Sequence, residues 1–267
     1  MLSQFSESDI KAFEPELKIG LLATVNPQGL PHLTLISSIK AGSPTTLTWG
    51  QFTEGVSKQH VRQNPKTGWM VMSLARDLWR GKAIWTHSAQ SGADYDWYNN
   101  IPMFRYNAYF GIHTVHYMNL VEQTGKGPLP MNWIIFAAVR SMIARTLSPA
   151  GGKQQVFNPW TQAFFSKLDN LKFLAYISPD GFPQIIPLIQ AQADGGEHLI
   201  FSSGVYGEEL RQIPAGAPVA VLGMALSMED VLVRGEFTSL RRRAGLECGG
   251  VKVDWVYNPM PPKPQQI

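Results

Sequence analysis

Cysteine is almost absent: Cys248 is the only one in 267 residues. That excludes an intrachain disulfide and any zinc site built from several cysteines. Charge is scarce as well, since 23 basic and 20 acidic side chains leave a net +3 and charged residues make up 16% of the chain. No basic stripe accompanies this small excess, which argues against a nucleic-acid binder. The densest basic patch, Arg241-Arg242-Arg243, reads as a solvated turn. No apolar run approaches the roughly 20 residues a bilayer span needs. The most apolar helix-like stretch, Trp133 to Leu147, is interrupted by Arg140 and Arg145 and reads as an amphipathic helix packed on the protein, with a seat on a membrane surface as the lesser alternative. The first seven residues, Met1 to Glu7, hold no apolar run ending in small residues, so no secretory leader is expected. Gly20, Gly29 and Gly55 lack the spacing of a dinucleotide-binding or P-loop glycine motif. What is present is an apolar fraction of 44%, enough to fill the core of one large domain or two modest ones. The composition describes a soluble globular protein of a reducing compartment, expected in the cytoplasm without membrane or nucleic-acid partners.

An internal repeat organises the chain. Residues 19–35 read IGLLATVNPQGLPHLTL and residues 171–187 read LKFLAYISPDGFPQIIP. At an offset of 152, set by Gly29 and Gly181, Leu22, Ala23, Pro27 and Pro31 meet Leu174, Ala175, Pro179 and Pro183. The same offset pairs Leu47 with Leu199 and Gly55 with Gly207, and with a small gap Arg80-Gly81 meets Arg234-Gly235. A period this long implies a duplicated domain.

Each repeat opens as a hairpin. Asn26-Pro27-Gln28-Gly29 and Ser178-Pro179-Asp180-Gly181 place proline and glycine where a tight turn needs a preset φ and then a positive one. Strands are expected at 21–25, 33–39, 45–49, 68–74 and 82–86, with counterparts at 173–177, 185–189, 198–201, 219–224 and 231–238. A short helix is expected over 54–63, ended by Asn64-Pro65. Many strands, close turns and one short helix per unit predict a mainly β fold: two tandem split β-barrels, antiparallel and Greek-key in connectivity. The expected divisions are 1–125 for the first barrel, 126–165 for a helical connector, 166–257 for the second barrel, and 258–267 for an extended, mobile proline-rich tail. A Ser148 to Gly152 linker follows the connector helix. The aromatic stretch 95–117, with Tyr106, Tyr109, Phe110 and Tyr117, reads first as core or interface and second as a cap for a flat cofactor.

The hairpin at 21–37, the strand TLTWGQ at 46–51, and GVSKQHVRQNP at 55–65 running into WMVMSL at 69–74 carry a family likeness. In this order they resemble the FMN-binding split-barrel proteins, the superfamily of pyridoxamine 5′-phosphate oxidase. Residues 17–87 carry the likeness well; residues 170–240 match its framework. The resemblance implies non-covalent FMN in the N-terminal half. Leu35, Ile36 and Ser37 would lie along the isoalloxazine, Trp49, Gly50 and Gln51 under the ribityl and phosphate, and Ser57 and Lys58 at the phosphate. Physics agrees at the last two positions: a helix N-terminus with an adjacent Lys and Ser suits a phosphate, whereas the bland alternative is an exposed lysine at a surface helix start. In the second repeat Ser57 and Lys58 become Glu209 and Leu210, preceded by Glu208, which predicts that the second barrel has lost its cofactor and acts structurally. The resemblance also implies that two barrels pair, either within this chain as an internal pseudo-dimer or between chains as a homodimer.

The expected activity is electron or hydride transfer by FMN between a small-molecule donor and a small acceptor. The alternatives are a non-catalytic flavin or haem carrier, or a scaffold with both sites inactive. His87, His113 and His116 are the candidate haem ligands. His113 and His116, three apart, would fall on opposite faces of a strand, so no metal site is expected. Cys248 reads as an inert thiol, and no catalytic residue stands out. The pyridoxamine phosphate substrate is not supported, because the Arg/His set to hold its phosphate is missing.

Overall fold

The structure is a computed structural model that describes residues 1–15, 17–102, 111–147, 154–225, 227, 229–243, 245–258 and 265–266. Tyr106, Tyr109, Phe110, the 148–152 linker and residues 259–264 of the tail lie outside the described residues. The chain forms two compact units, one comprising Met1–Leu129 with Pro179–Gln184 and the other Pro130–Ser178 with Ile185–Ile267. The connector helix therefore belongs to the second unit.

The first unit is built on β1 (Lys18–Val25), β2 (Pro31–Leu35), β3 (Lys40–Ser43), β4 (Thr46–Gln51), β5 (Lys66–Ser73), β6 (Asp77–Ala89), β7 (Thr114–Gln123) and the two-residue β8 (Gly127–Pro128). They form an antiparallel sheet in the order β2-β1-β5-β6-β7-β4-β3, with β8 on β6. Its helices are α1 (Glu7–Phe13), α2 (Val56–Gln63) and α3 (Ala93–Asn100). The second unit begins with α4 (Met131–Leu147) and α5 (Pro159–Ser166), and has α6 (Gly207–Arg211). Its strands are β9 (Leu171–Ile177), β10 (Pro183–Pro187), β11 (Gln192–Ala193), β12 (His198–Ser202), β13 (Pro218–Met224), β14 (Asp230–Arg243), β15 (Leu246–Asn258) and β16 (Gln265–Gln266). The sheet order β10-β9-β13-β14-β15-β12-β11 copies that of the first, strand for strand.

The copy extends to single hydrogen bonds. In the first unit the Ile36 N–H donates to Gly20 O (2.7 Å) and the Ile39 N–H to Ile36 O (3.2 Å); at the same offset the Leu188 N–H donates to Lys172 O (2.8 Å) and the Ala191 N–H to Leu188 O (2.9 Å). Ser38 Oγ binds both the N–H and the C=O of Gly50 (3.1 and 2.9 Å). Its counterpart Gln190 donates to the C=O of Ser202, the counterpart of Gly50 (3.1 Å). Gly81 and Gly235 sit beside register shifts of the β6–β7 and β14–β15 pairs. A Cβ at either would lie 2.0 Å from the facing carbonyl oxygen, of Glu122 or Lys252, so the shared Arg-Gly pair marks a site of close backbone approach.

The hairpin turns form as the sequence requires. Gly29 and Gly181 have φ of +74° and +81°, and Asn26 Oδ1 accepts the N–H groups of Gln28 and Leu30 (3.0 and 2.8 Å). Elsewhere the expectations need correction. The strands expected over 33–39 and 185–189 stop at Leu35 and Pro187, because the backbone turns back on itself at residues 36–39 and 188–191 through the bonds just described. A short extra strand, β3 or β11, follows each turn. β7 and β15 were not expected, and they complete the two sheets. The arginine run is no turn: Arg241–Arg243 end β14, with Arg243 opposite Leu246 of β15. The tail returns to the sheet, since Gln265–Gln266 pair with Asn258 and Tyr257.

Each unit has its own core. In the first, α1 is closed by a Ser6–Asp9 capping box and seats Phe13 edge-on against Trp69 and Trp79, beside Leu22, Val71 and Met118. In the second, Phe157, Phe164, Phe165, Phe201 and Phe237 pack with the aliphatic faces of β9, β13, β14 and β15. No helix of the described residues is long and apolar enough to cross a membrane.

Candidate functional site

The start of α2 in the first unit gathers the polar side chains that the hairpin strands bring to one place. Gly55 caps the helix in an extended conformation (φ −173°), with no side-chain cap and no acidic residue in the first turn. The first-turn N–H groups thus lack a carboxylate or hydroxyl of the chain's own at the cap. Ser57 is buried, and its hydroxyl shares a hydrogen bond with Thr34 Oγ1 on β2. Lys58 is 8% exposed. Its ammonium folds back over the cap, where a Cβ on Gly55 would lie 3.1 Å from Nζ; glycine is what admits it. Among the described residues the Lys58 ammonium makes no hydrogen bond and no ion pair, while its backbone N–H donates to Gly55 O (3.2 Å). Burial pushes its pKa below the ordinary lysine value, only partly offset by the charge of Glu54.

Beside Lys58 runs a fixed chain of donors and acceptors. His116, on β7 opposite Trp49 of β4, is fully buried and stacks on the Trp49 indole at 3.8 Å and 4°. Trp85 Nε1 donates to His116 Nδ1 (3.1 Å), so the proton of the imidazole sits on Nε2, which donates to Gln51 Oε1 (2.8 Å). The Gln51 amide in turn donates to Glu54 Oε1 (2.9 Å) and faces His113 Nε2 (3.4 Å). Burial, and then the charges of Lys58 and Arg62, push the His116 pKa down to about 3. The ring is therefore neutral in any ordinary buffer and orients Gln51 and Glu54.

The eight expected cofactor residues divide into three groups. Gln51, Ser57 and Lys58 belong to this cluster, while Leu35 and Ser37, both half-buried, lie next to Thr34 and just past the end of β2. The side chains of Ile36 and Trp49 are packed in the core. Gly50 is closed on both sides, its polar groups on Ser38 and its Cα against Ile112, whose side chain would stand 2.0 Å from an added Cβ. The expectation that His113 and His116 face apart fails. His113 precedes β7, so both imidazoles reach the same glutamine. His116 has both nitrogens engaged and offers none to a haem iron. His87 is exposed and stacked on Tyr117 at 4.4 Å. Among the described residues no group of three or more His, Cys, Asp or Glu is placed to hold a metal ion.

Thr34 and Glu54 were missed by sequence reasoning, and His116 was singled out only as a possible haem or metal ligand. The role of His116 becomes visible only through its pairing with Trp49. In the second unit the position of Lys58 is taken by Leu210, which is fully buried in the core. Glu208 and Glu247 there both pair with Arg211.

No family model and no curated protein matches the chain. Solved structures to which it is similar are FMN-binding and pyridoxamine 5′-phosphate oxidase-like split-barrel proteins, each over about 46% of this chain, the extent expected for one copy of a tandem duplication. An FMN-binding protein from Syntrophomonas wolfei subsp. wolfei is 15% identical, with 46% of this chain and 86% of that chain covered and a TM-score of 0.39. An F420 reductase is 17% identical, with 45% and 98% covered and a TM-score of 0.35. The haem storage protein HutZ from Vibrio cholerae is 16% identical, with 46% and 95% covered and a TM-score of 0.32.

Proposed function

We propose that the first unit binds FMN non-covalently, with the phosphate at the start of α2, and serves as a flavin-dependent oxidoreductase acting on a small molecule. The observation that carries this reading is the buried, partnerless ammonium of Lys58 over an uncapped helix start. Burying a charge without a partner is costly, and an anionic ligand removes that cost. Lys58, the Ser57 hydroxyl and the first-turn N–H groups of α2 would hold the phosphate. Leu35 and Ser37, both half-buried, remain open for the ring, while the side chains of Ile36 and Trp49 are packed in the core. Bound FMN supplies two-electron transfer; the chain binds it, orients it and holds Gln51 and Glu54 in fixed positions through neutral His116.

The test is a visible spectrum of the purified protein before and after FMN addition and desalting, repeated on Lys58→Met. A retained flavin spectrum is expected. The variant should bind FMN about ten- to a hundredfold more weakly, the effect of one hydrogen bond to a charged group. Unchanged affinity removes Lys58 from the site. A Soret band on adding haem, with no retained flavin, replaces this reading by a haem carrier; a protein that takes up neither is a scaffold.

A further inference from the structure

The second unit lost the lysine but gained an arginine from another element. α4 packs on β12 through small residues: Ser141 Oγ accepts the N–H of Ser202 (2.8 Å), Ser202 Oγ donates to Ala137 O (2.9 Å), and Gly204 lies against Ala137, where an added Cβ would stand 3.0 Å from that methyl. This close seat leaves a cavity of about 360 Å³ between α4 and the turn after β12, lined by Trp133, Phe136, Ala137, Arg140, Gly204 and Val205. Its walls are apolar and open to solvent, with Trp133 67%, Phe136 55% and Val205 41% exposed. Among the described residues Arg140 is the only charged group in the lining. Its Nε is enclosed without a hydrogen-bond partner, and among the described residues the guanidinium makes no hydrogen bond or ion pair. Phe136 offers it only a ring face at 5.8 Å. Glu247, the acid whose charge it influences, is taken by Arg211 at 2.7 Å and by Ser203.

A guanidinium presents a planar fork of donors that fits a carboxylate in a bidentate way, and an enclosed donor left empty is costly. The volume falls in the range of small-molecule pockets, where apolar walls and few polar groups are the rule. We propose that this cavity is a second ligand site, independent of the flavin site, for a carboxylate carried on a short apolar body. The carboxylate sits on Arg140 and the body lies along Trp133, Phe136 and Val205.

The experiment is calorimetric titration of the full chain with octanoate, octan-1-ol and acetate. Octanoate is expected to bind once per chain, at least tenfold more tightly than octanol, which has the same body without the charge, or acetate, which has the charge without the body. Arg140→Met should remove the preference for octanoate over octanol, and Arg140→Lys should restore part of it. Because Arg140 holds no other described group, the melting temperature of the ligand-free Met variant should not fall below the parent's. Should that variant fail to fold, the wild-type chain still decides the matter by nitrogen-15 NMR. One arginine Nε–H resonance, absent in Arg140→Lys, should move with octanoate and stay with octanol. Equal affinities for octanoate and octanol, an unchanged preference in Arg140→Met, or no moving arginine resonance would each overturn the proposal.

Discussion

Two buried charges in this molecule cost stability in opposite pH ranges, and each can be read by a single substitution. Lys58 has a folded pKa below its unfolded one, so the folded state disfavours its protonated form. The penalty is present in full at pH below the folded pKa and fades as pH rises toward the ordinary lysine value. Lys58→Met should therefore raise the melting temperature of the ligand-free protein at pH 7 while weakening FMN, and a loss on both counts would mean that Lys58 is held by the fold itself. Asp230 is the acidic counterpart. It is 7% exposed, its Oδ1 has no partner among the described residues, and burial raises its pKa from 3.8 to about 6. A carboxyl raised in the folded state binds its proton there more tightly than in the unfolded chain. The contribution of Asp230 to stability is thus greatest below pH 4, falls as pH rises to about 6, and is level beyond. Asp230→Asn should be nearly neutral at pH 4 and should add up to about 3 kcal/mol at pH 7, at 1.36 kcal/mol per pKa unit. Chemical denaturation at the two pH values measures this, and equal gains at both would refute the titration. Lys58 was legible in the sequence because a lysine at a helix start after glycine has a recognisable chemistry. Asp230 was not, since an acid at the first residue of a strand reads as part of a turn and its burial depends on distant strands.

The elements set off by local chemistry were legible. The Pro-Gly hairpins, the Asn-Pro stop after α2 and the apolar run of α4 each carry their own signal, and each appears within a few residues of its expected place. β7 and β15 were not legible, because their burial comes from pairing with β4 and β12, which are far away in the chain. α4 shows the limit of pattern reading. Its inward face is Ile134, Ala137, Ala138, Ser141 and Ala144, whereas Trp133, Ile135, Phe136, Val139 and Leu147 are exposed, so apolar content pointed to the wrong side. Small residues are inside because the helix lies close on β12, and Ser141 is the side chain that joins the two. Its hydroxyl passes a hydrogen bond from the Ser202 N–H to Ala137 O (2.8 and 2.9 Å). Ser141→Ala keeps the helix and nearly the same volume but leaves the buried Ser202 N–H unpaired. The expected loss is about 1–3 kcal/mol, with faster amide exchange at Ser202. Unaltered stability and exchange would show that water or another group takes the place of the hydroxyl.

At the scale of the whole molecule, duplication gave two units with one strand order and one set of turn hydrogen bonds but unequal chemistry. The repeat was legible because tight turns constrain residue identity strongly. Proline and glycine at the hairpin, and glycine where backbones approach, admit few substitutes. Lys58, proposed to hold the phosphate, packs in no core cluster, so the second copy was free to change it. It replaced Lys58 with Leu210, which is fully buried among Phe201, Tyr206 and Val253 of the second core cluster. A leucine there stabilises its unit by burial, roughly 1.5–3 kcal/mol relative to an exposed side chain, and offers nothing to an anion. The neighbouring Glu208 adds repulsion. The chain should therefore bind one FMN. Titration of a known protein concentration, followed by flavin fluorescence, should break at one per chain, and Lys58→Met should blunt that break without uncovering a second. Restoring the lysine alone should fail to make a second site. Leu210→Lys places an ammonium in a packed apolar core, so the expected outcome is loss of stability without flavin uptake. A break at two per chain, or flavin binding gained by Leu210→Lys, would show that the second unit kept a flavin site that its buried leucine does not reveal.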